Sequence, residues 1–152
     1  MIIRRENFRD YKDEAHSIFV DHWKELGEVG GSTTFSLSAD TMCMLADSGN
    51  YVSYVARKDD GTIIGYMTYV VTQGIHSSTD TYACTDAVYV VREYRSSLAG
   101  IGLKLLKFAE KDLKETFKVS VIQFAMNTAY DLTSFIRKLD YIPSEIRFNK
   151  RL

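Results

Sequence analysis

The amino-acid sequence predicts a mixed α/β (α+β) fold in which helices flank a central sheet. Three observations predict it. Apolar residues recur at three- and four-residue steps over two long stretches, 8–26 and 101–117. Three β-rich runs, 51–57, 62–71 and 81–91, lie between those stretches. Aromatic residues reach 12% while proline occurs once, at Pro143, a composition that suits ordered sheet. A chain of 152 residues fits one hydrophobic core, so a single domain over 1–152 is expected.

Each element has a local reason. Ile2, Ile3 and Arg4 open a short strand, and Asn7 caps a helix that carries Asp10 at the positive end of its dipole. That helix runs to Leu26, with Phe8, Tyr11, Ala15, Ile18, Phe19, His22, Trp23 and Leu26 stacked on one core-facing side. His22 on this stripe reads as a packed core histidine, and His16 and His76 have no neighbours at metal-ligand spacing. Gly, Ser and Thr dominate from Gly27 to Asp40, and a second helix, Ala39 to Asp47, stops at Ser48-Gly49-Asn50. Strands Tyr51 to Arg57 and Thr62 to Val71 join through Lys58-Asp59-Asp60-Gly61, a tight hairpin. A further strand, Thr81 to Val91, leads to a Ser/Gly segment and the helix marked by Ile101, Leu105, Leu106, Ala109, Leu113 and Phe117. Val119 to Ala125 alternates as a strand, Ala129 to Leu139 reads as a helix, and Glu145 to Asn149 alternates once more.

Composition excludes several function classes. Lys and Arg total 19 against 20 acidic residues, a net charge of −1, which argues against a surface that tracks nucleic acid or acidic lipid. Cys43 and Cys84 are too few for a disulfide framework or a four-ligand zinc site, and read as buried thiols of a reducing compartment. Neither a secretion signal nor an apolar run of about 18 residues occurs, so a cytoplasmic protein is expected.

The strongest local signal is Ser97-Leu98-Ala99-Gly100-Ile101-Gly102, entered from an apolar strand and leaving into a helix. Backbone N–H groups at a helix start are unpaired and carry partial positive charge, so a diphosphate can sit on them, and glycines let it approach. A P-loop would need Gly-Lys-Ser/Thr, and the dinucleotide fingerprint would need a glycine where Leu105 stands. A helix start packed with small residues is the competing reading.

These residues resemble the GNAT superfamily of N-acetyltransferases, whose acetyl-CoA loop reads Gln/Arg-x-x-Gly-x-Gly/Ala after the fourth strand. Gly100 and Gly102 match both glycine positions. Ala87 to Arg95 is similar to the family's fourth strand and the approach to its loop, Leu103 to Glu110 to the helix that follows, and Phe135 to Tyr141 to its closing segment. The order of elements follows the family across nearly the whole chain, and the loop wording looks like versions carried by bacteriophages. Two departures stand out: Ser97 holds the Gln/Arg position, with Arg95 two residues upstream, and Ile136 stands where the family has its usual tyrosine.

The resemblance implies an acetyl-CoA-binding N-acetyltransferase domain. Its sheet is mixed, mostly antiparallel, flanked by helices and splayed between the fourth and fifth strands. Tyr89, Val90 and Val91 would face Ile122 to Asn127 across the gap, and their free strand-edge groups would pair with the pantetheine arm. The implied cofactor-binding set is Tyr89, Val90, Val91, Arg95, Ser96, Ser97, Leu98, Ala99, Gly100, Ile101, Gly102, Leu103 and Asn127. No metal is expected. An alkylammonium of pKa ~10.4 must lose a proton before it attacks the thioester. Asp86 is placed where some family members carry a base, and would act through water or after burial raises its pKa; a hydrogen-bonded strand residue is the bland alternative. With Ile136 unable to donate, Tyr130 and Tyr141 are the candidates for protonating the thiolate, unless the amine's own proton passes across.

The resemblance further implies that the acceptor, a primary amine of a protein, peptide or small molecule, enters beside Gly27 to Asp40. Only eleven residues follow Tyr141, so the closing hairpin is expected to be shortened and the cleft open. An open cleft suits a protein amine, or a homodimer whose second subunit completes the site. Ile136 and Ser97 also admit a second reading, a weakly active or inactive module that binds CoA or a protein.

Overall fold

The computed structural model describes residues 1–30, 35–95, 100–126, 131–145 and 150, with side chains left out of account at 27–30. The chain runs β1 (Ile2–Glu6), α1 (Phe8–Tyr11), α2 (His16–Gly30), α3 (Ala39–Asp47), β2 (Tyr51–Arg57), β3 (Ile63–Gln73), β4 (Thr81–Val90), α4 (Ile101–Glu115), β5 (Val121–Gln123) and α5 (Thr133–Arg137). The five strands form one sheet in the order β1-β2-β3-β4-β5. The first four are antiparallel neighbours, and β5 joins β4 in parallel. A parallel neighbour cannot be reached by a hairpin, so α4 supplies the crossover.

Helices cover both faces of the sheet, which explains why β2 is buried from Tyr51 to Ala56 rather than alternating. Val52, Tyr54 and Ala56 join the core under α4, together with Leu105, Leu106, Ala109 and Leu113. Tyr51 and Val55 join the core under α1, α2 and α3, together with Phe8, Tyr11, Phe19 and Tyr66. The buried residues of α4 fall at three- and four-residue spacing, giving the stripe that the sequence predicts. Gly100 caps that helix in the left-handed region at φ 52°, where a side chain would be strained.

The single helix expected over 7–26 is broken. Between α1 and α2 lies a turn at residues 12–15. The Ala15 N–H still donates to the Tyr11 carbonyl at 2.9 Å, and that of Phe19 to the Ala15 carbonyl at 3.0 Å. The winding is interrupted without rotating the apolar stripe, so Tyr11, Ala15 and Phe19 all stay buried. The strand expected over 119–125 shortens to Val121–Gln123. The helix expected over 129–139 shortens to Thr133–Arg137, with 129–130 outside the described residues, as is most of the strand expected over 145–149. Among the described residues no helix is long and apolar enough to cross a membrane.

Leu105 is fully buried on α4, whereas Lys107 is exposed. Leu105→Ala is expected to lower unfolding free energy by about 2–5 kcal/mol and Lys107→Ala by less than about 0.5 kcal/mol, as read by urea unfolding.

Candidate active site

The site begins with an irregularity in β4. Thr68 pairs with Ala87 but Tyr69 pairs with Thr85, so Asp86 is an extra residue, a β-bulge. The bulge turns the Asp86 carboxylate toward the α2 side of the sheet. There Tyr51 Oη donates to its Oδ2 at 2.8 Å and Thr68 Oγ1 at 3.4 Å. The Thr68 hydroxyl in turn accepts from the Ala87 N–H at 3.1 Å, filling the ladder position that the bulge disturbs.

At the same level β4 parts from β5. Their pairing covers Tyr82, Ala83 and Cys84 against Val121, Ile122 and Gln123 and then stops. Thr85 ends it: its hydroxyl accepts from the Ala125 N–H at 2.7 Å, so a side chain replaces the next backbone rung. Beyond Thr85 the strands enclose a cleft of ≈ 460 Å³, with Asp86, Ala87, Val88, Tyr89 and Val90 on one side and Phe124, Ala125, Met126 and Leu132 on the other. The Val91 N–H donates back to the Ile64 carbonyl of β3 at 3.0 Å. Strand groups alternate in direction, so the N–H and C=O of Val90 face the cleft.

Arg95 crosses this opening. Its Nε donates to the Val90 carbonyl at 2.7 Å, its Nη2 donates to both carboxylate oxygens of Glu25 of α2 at 2.8 and 2.9 Å, and its guanidinium carbon lies 5.0 Å from the Tyr89 ring centre. Tyr89 is buried and stacks against His22 at 4.8 Å between ring centres. Burial, with the nearby Glu25 charge, pushes the Tyr89 phenol above its ordinary value.

A second chamber of ≈ 340 Å³ lies under α2, walled by Phe8, Tyr11, Phe19, Trp23, Phe35, Tyr51 and Tyr66. Cleft and chamber share His22, Leu26, Asp86 and Ala87, so they meet at the bulge. His22 Nδ1 lies 2.6 Å from Tyr66 Oη. Burial lowers the pKa of His22 and raises those of Tyr66 and Tyr51; the Asp86 charge adds to the rise at Tyr51. All three side chains are therefore held neutral near neutral pH.

The structure brings Asp86, Tyr89, Val90 and Arg95 together around the cleft. Gly100, Ile101, Gly102 and Leu103 form the start of α4; Ile101 is buried in the core, leaving its backbone as the part available to a ligand. Among the described residues a Cβ at Gly102 would meet no atom within 4 Å, so their packing does not require that glycine. Val91 is tied to β3. Tyr141 stands apart: its hydroxyl donates to Glu110 Oε1 at 2.7 Å, and burial with the Glu110 bond pushes its pKa up. Ser96, Ser97, Leu98, Ala99, Asn127 and Tyr130 lie outside the described residues. Among the described residues no group of three or more His, Cys, Asp or Glu side chains is placed to hold a metal.

Sequence reasoning missed His22, Glu25, Tyr51 and Tyr66 as site residues. The signal for Glu25 was present: it falls three residues after His22, an acid on the flank of an apolar stripe.

A mixed sheet that opens between a bulged strand and its parallel neighbour, ahead of a glycine-capped helix, defines an acetyltransferase-type α+β fold. The model of the acetyltransferase (GNAT) family matches residues 3–137, and the chain belongs to that family, making it an acetyl-CoA-dependent N-acetyltransferase. Three solved structures illustrate the likeness in fold. An aminoglycoside acetyltransferase from an uncultured soil metagenomic sample is 19% identical with a TM-score of 0.72, covering 99% of this chain and 95% of that one. Glucosamine-6-phosphate N-acetyltransferase from Arabidopsis thaliana is 15% identical with a TM-score of 0.69, covering 99% and 97%. A putative acetyl transferase from Pyrococcus furiosus is 16% identical with a TM-score of 0.66, covering 99% and 100%. No curated protein matches the sequence.

Because the folded pKa of His22 lies below its ordinary 6.5, the unfolded chain binds the proton more readily. The stability that His22 contributes is complete above pH ~6.5 and is lost as pH falls through the folded value. Thermal melts are expected to show the wild type losing stability below pH ~6.5 and His22→Gln losing less over the same interval.

Proposed function

We propose that the cleft takes the thioester arm of acetyl-CoA and the α4 start takes its diphosphate, while the chamber delivers a primary amine to Asp86 from the opposite side. One observation carries this reading: Asp86 lines both cavities, so two substrates entering separately meet at one carboxylate.

The residues suit this division. The arm's amides need backbone partners, and Val90 presents a C=O to them on the open edge of β4, leaving its N–H for the thioester oxygen. Arg95 holds that carbonyl, so seating the arm requires Arg95 to let go, and its guanidinium then becomes available to a phosphate. None of the described residues crowds Gly102, which leaves the α4 backbone N–H groups approachable.

The acceptor arrives as an ammonium, attracted by Asp86, which has hydroxyl donors and no cationic partner among the described residues. One proton leaves the ammonium for Asp86 through water, and the freed lone pair attacks the thioester carbonyl. The C–N bond forms, the Val90 N–H steadies the charge on the oxygen, and the C–S bond breaks. The second proton of the nitrogen passes to the departing thiolate, whose intrinsic pKa of ~8.5 makes it a tolerable leaving group. In this scheme Tyr141, committed to Glu110, takes no part. A chamber of ≈ 340 Å³ walled by aromatic rings favours a small-molecule amine over a protein lysine.

Two substitutions test this. Gly102→Asp places a carboxylate beside the diphosphate position without a packing clash among the described residues, and is expected to abolish acetyl-CoA binding in titration calorimetry at an unchanged melting temperature; retained affinity refutes the loop assignment. Asp86→Asn is expected to lower kcat/KM by about 10²-fold or more while acetyl-CoA affinity holds, and an unchanged rate removes Asp86 from the chemistry.

A further inference from the structure

Glu25 takes no part in the reaction scheme, yet it is bonded more heavily than Asp86. Its side chain is only 16% exposed, and both of its carboxylate oxygens accept from Arg95 Nη2 at 2.8 and 2.9 Å. Tyr89 Oη donates to its Oε1 at 3.4 Å, a further tie to β4. Arg95 is thereby gripped at three points: the Glu25 carboxylate, the Val90 carbonyl 2.7 Å from its Nε, and the face of the Tyr89 ring.

These grips are unequal. A hydrogen bond to a neutral carbonyl contributes little net on a half-exposed side chain, whereas a charge-assisted one to a carboxylate is about twice as strong. The guanidinium is also a rigid fork, so fixing Nη2 on Glu25 fixes the direction of Nε, which meets the Val90 carbonyl on the open edge of β4. Glu25 is therefore what keeps that carbonyl covered. A replacement cation stands close by: Arg92 Nη2 lies 3.7 Å from Glu25 Oε1, on a side chain that is 80% exposed. A buried acid stripped of its cation is costly, and Arg92 is near enough to take over Glu25 when Arg95 leaves.

We propose that Glu25 is a positioning residue that sets acetyl-CoA affinity: it holds Arg95 across the Val90 carbonyl, the diphosphate competes with it for the guanidinium, and Arg92 replaces Arg95 on Glu25. This rests on the acetyl-CoA reading of the cleft and adds the exchange of partners that opens it. The affinity observed is then the intrinsic one reduced by the fraction of molecules in which Arg95 has let go. A thioester without phosphates offers Arg95 no new partner and is hindered more than acetyl-CoA is.

The test compares acetyl-CoA with S-acetylpantetheine, which has the arm and no phosphate, by titration calorimetry, and follows solvent exchange of the Arg95 Nε–H by NMR in the ligand-free protein. Glu25→Gln is expected to lower the Kd for both ligands by about fivefold or more and to speed exchange of the Arg95 Nε–H. Arg95→Ala is expected to tighten S-acetylpantetheine by uncovering Val90, and to weaken acetyl-CoA relative to it by removing a phosphate partner. In the Arg95→Ala background Glu25→Gln is expected to change either affinity by less than about twofold, because both substitutions act through one contact. That double variant carries no unpaired acid, so it also guards the comparison against misfolding. A Glu25 that only supports the fold gives the opposite sign, weaker binding in both backgrounds. Equal acetyl-CoA affinity in wild type and Glu25→Gln, a gain that persists without Arg95, or an Arg95 Nε–H that exchanges equally fast in both proteins overturns the proposal while leaving acetyl-CoA binding intact. Failure of the cofactor reading looks different: neither ligand binds the wild type or any variant although the Arg95 signal still depends on Glu25, which sinks the competition along with that reading.

Discussion

The separation of β4 from β5 at Thr85 is the constraint on which the site depends. Three residue pairs hold the strands together, and then the Thr85 hydroxyl, at 2.7 Å from the Ala125 nitrogen, takes the place of the next rung. Had the ladder continued, the Val90 N–H and C=O would be paired within the sheet and no cleft would exist. An unpaired strand edge is ordinarily a liability. Here it opens into a narrow space walled by β4 and the segment after β5, which suits an extended ligand and excludes a further strand. The bulge at Asp86 belongs to the same event, because it bends β4 where its neighbour departs and re-aims one carboxylate.

Two acids flank the opening, and their partners give them different work. Glu25 is matched by the guanidinium of Arg95, with Arg92 3.7 Å away, so its charge is largely met inside the protein. Asp86 receives hydroxyl hydrogen bonds and no ion pair among the described residues, so its charge remains available to a cationic ligand. The neutral state of His22, Tyr51 and Tyr66 sharpens this contrast, since none of them offers a competing charge at the junction. Arg95 links the two halves: while it bonds the Val90 carbonyl, the cleft's backbone is occupied from within.

The chamber is a by-product of how the helical layer is built. α1 and α2 are separated by a turn, yet Phe8, Tyr11 and Phe19 pack edge-on and stacked with ring centres 5.6 to 6.1 Å apart. The same packing that provides the core on this face therefore shapes the space for a ligand.

Much of the fold was legible in local pattern. The stripe Ile101, Leu105, Leu106, Ala109, Leu113 specifies a helix with one buried face, and the Gly100 and Gly102 spacing marks its start, because periodicity and backbone freedom are properties of neighbouring residues. Asp86 could be singled out by its place before the loop. His22, on a core stripe by spacing, became a wall of the site because α2 ends over a gap in the sheet and not over closed packing. Glu25 and Arg95, 70 residues apart in sequence, are joined by a pair that no local rule can express. Tyr141 was drawn to Glu110 instead of the cleft for the same reason. Local sequence determined which elements form and which face each buries. Which polar side chains meet was decided by the sheet's opening, since distances between remote residues exist only once the layers have packed.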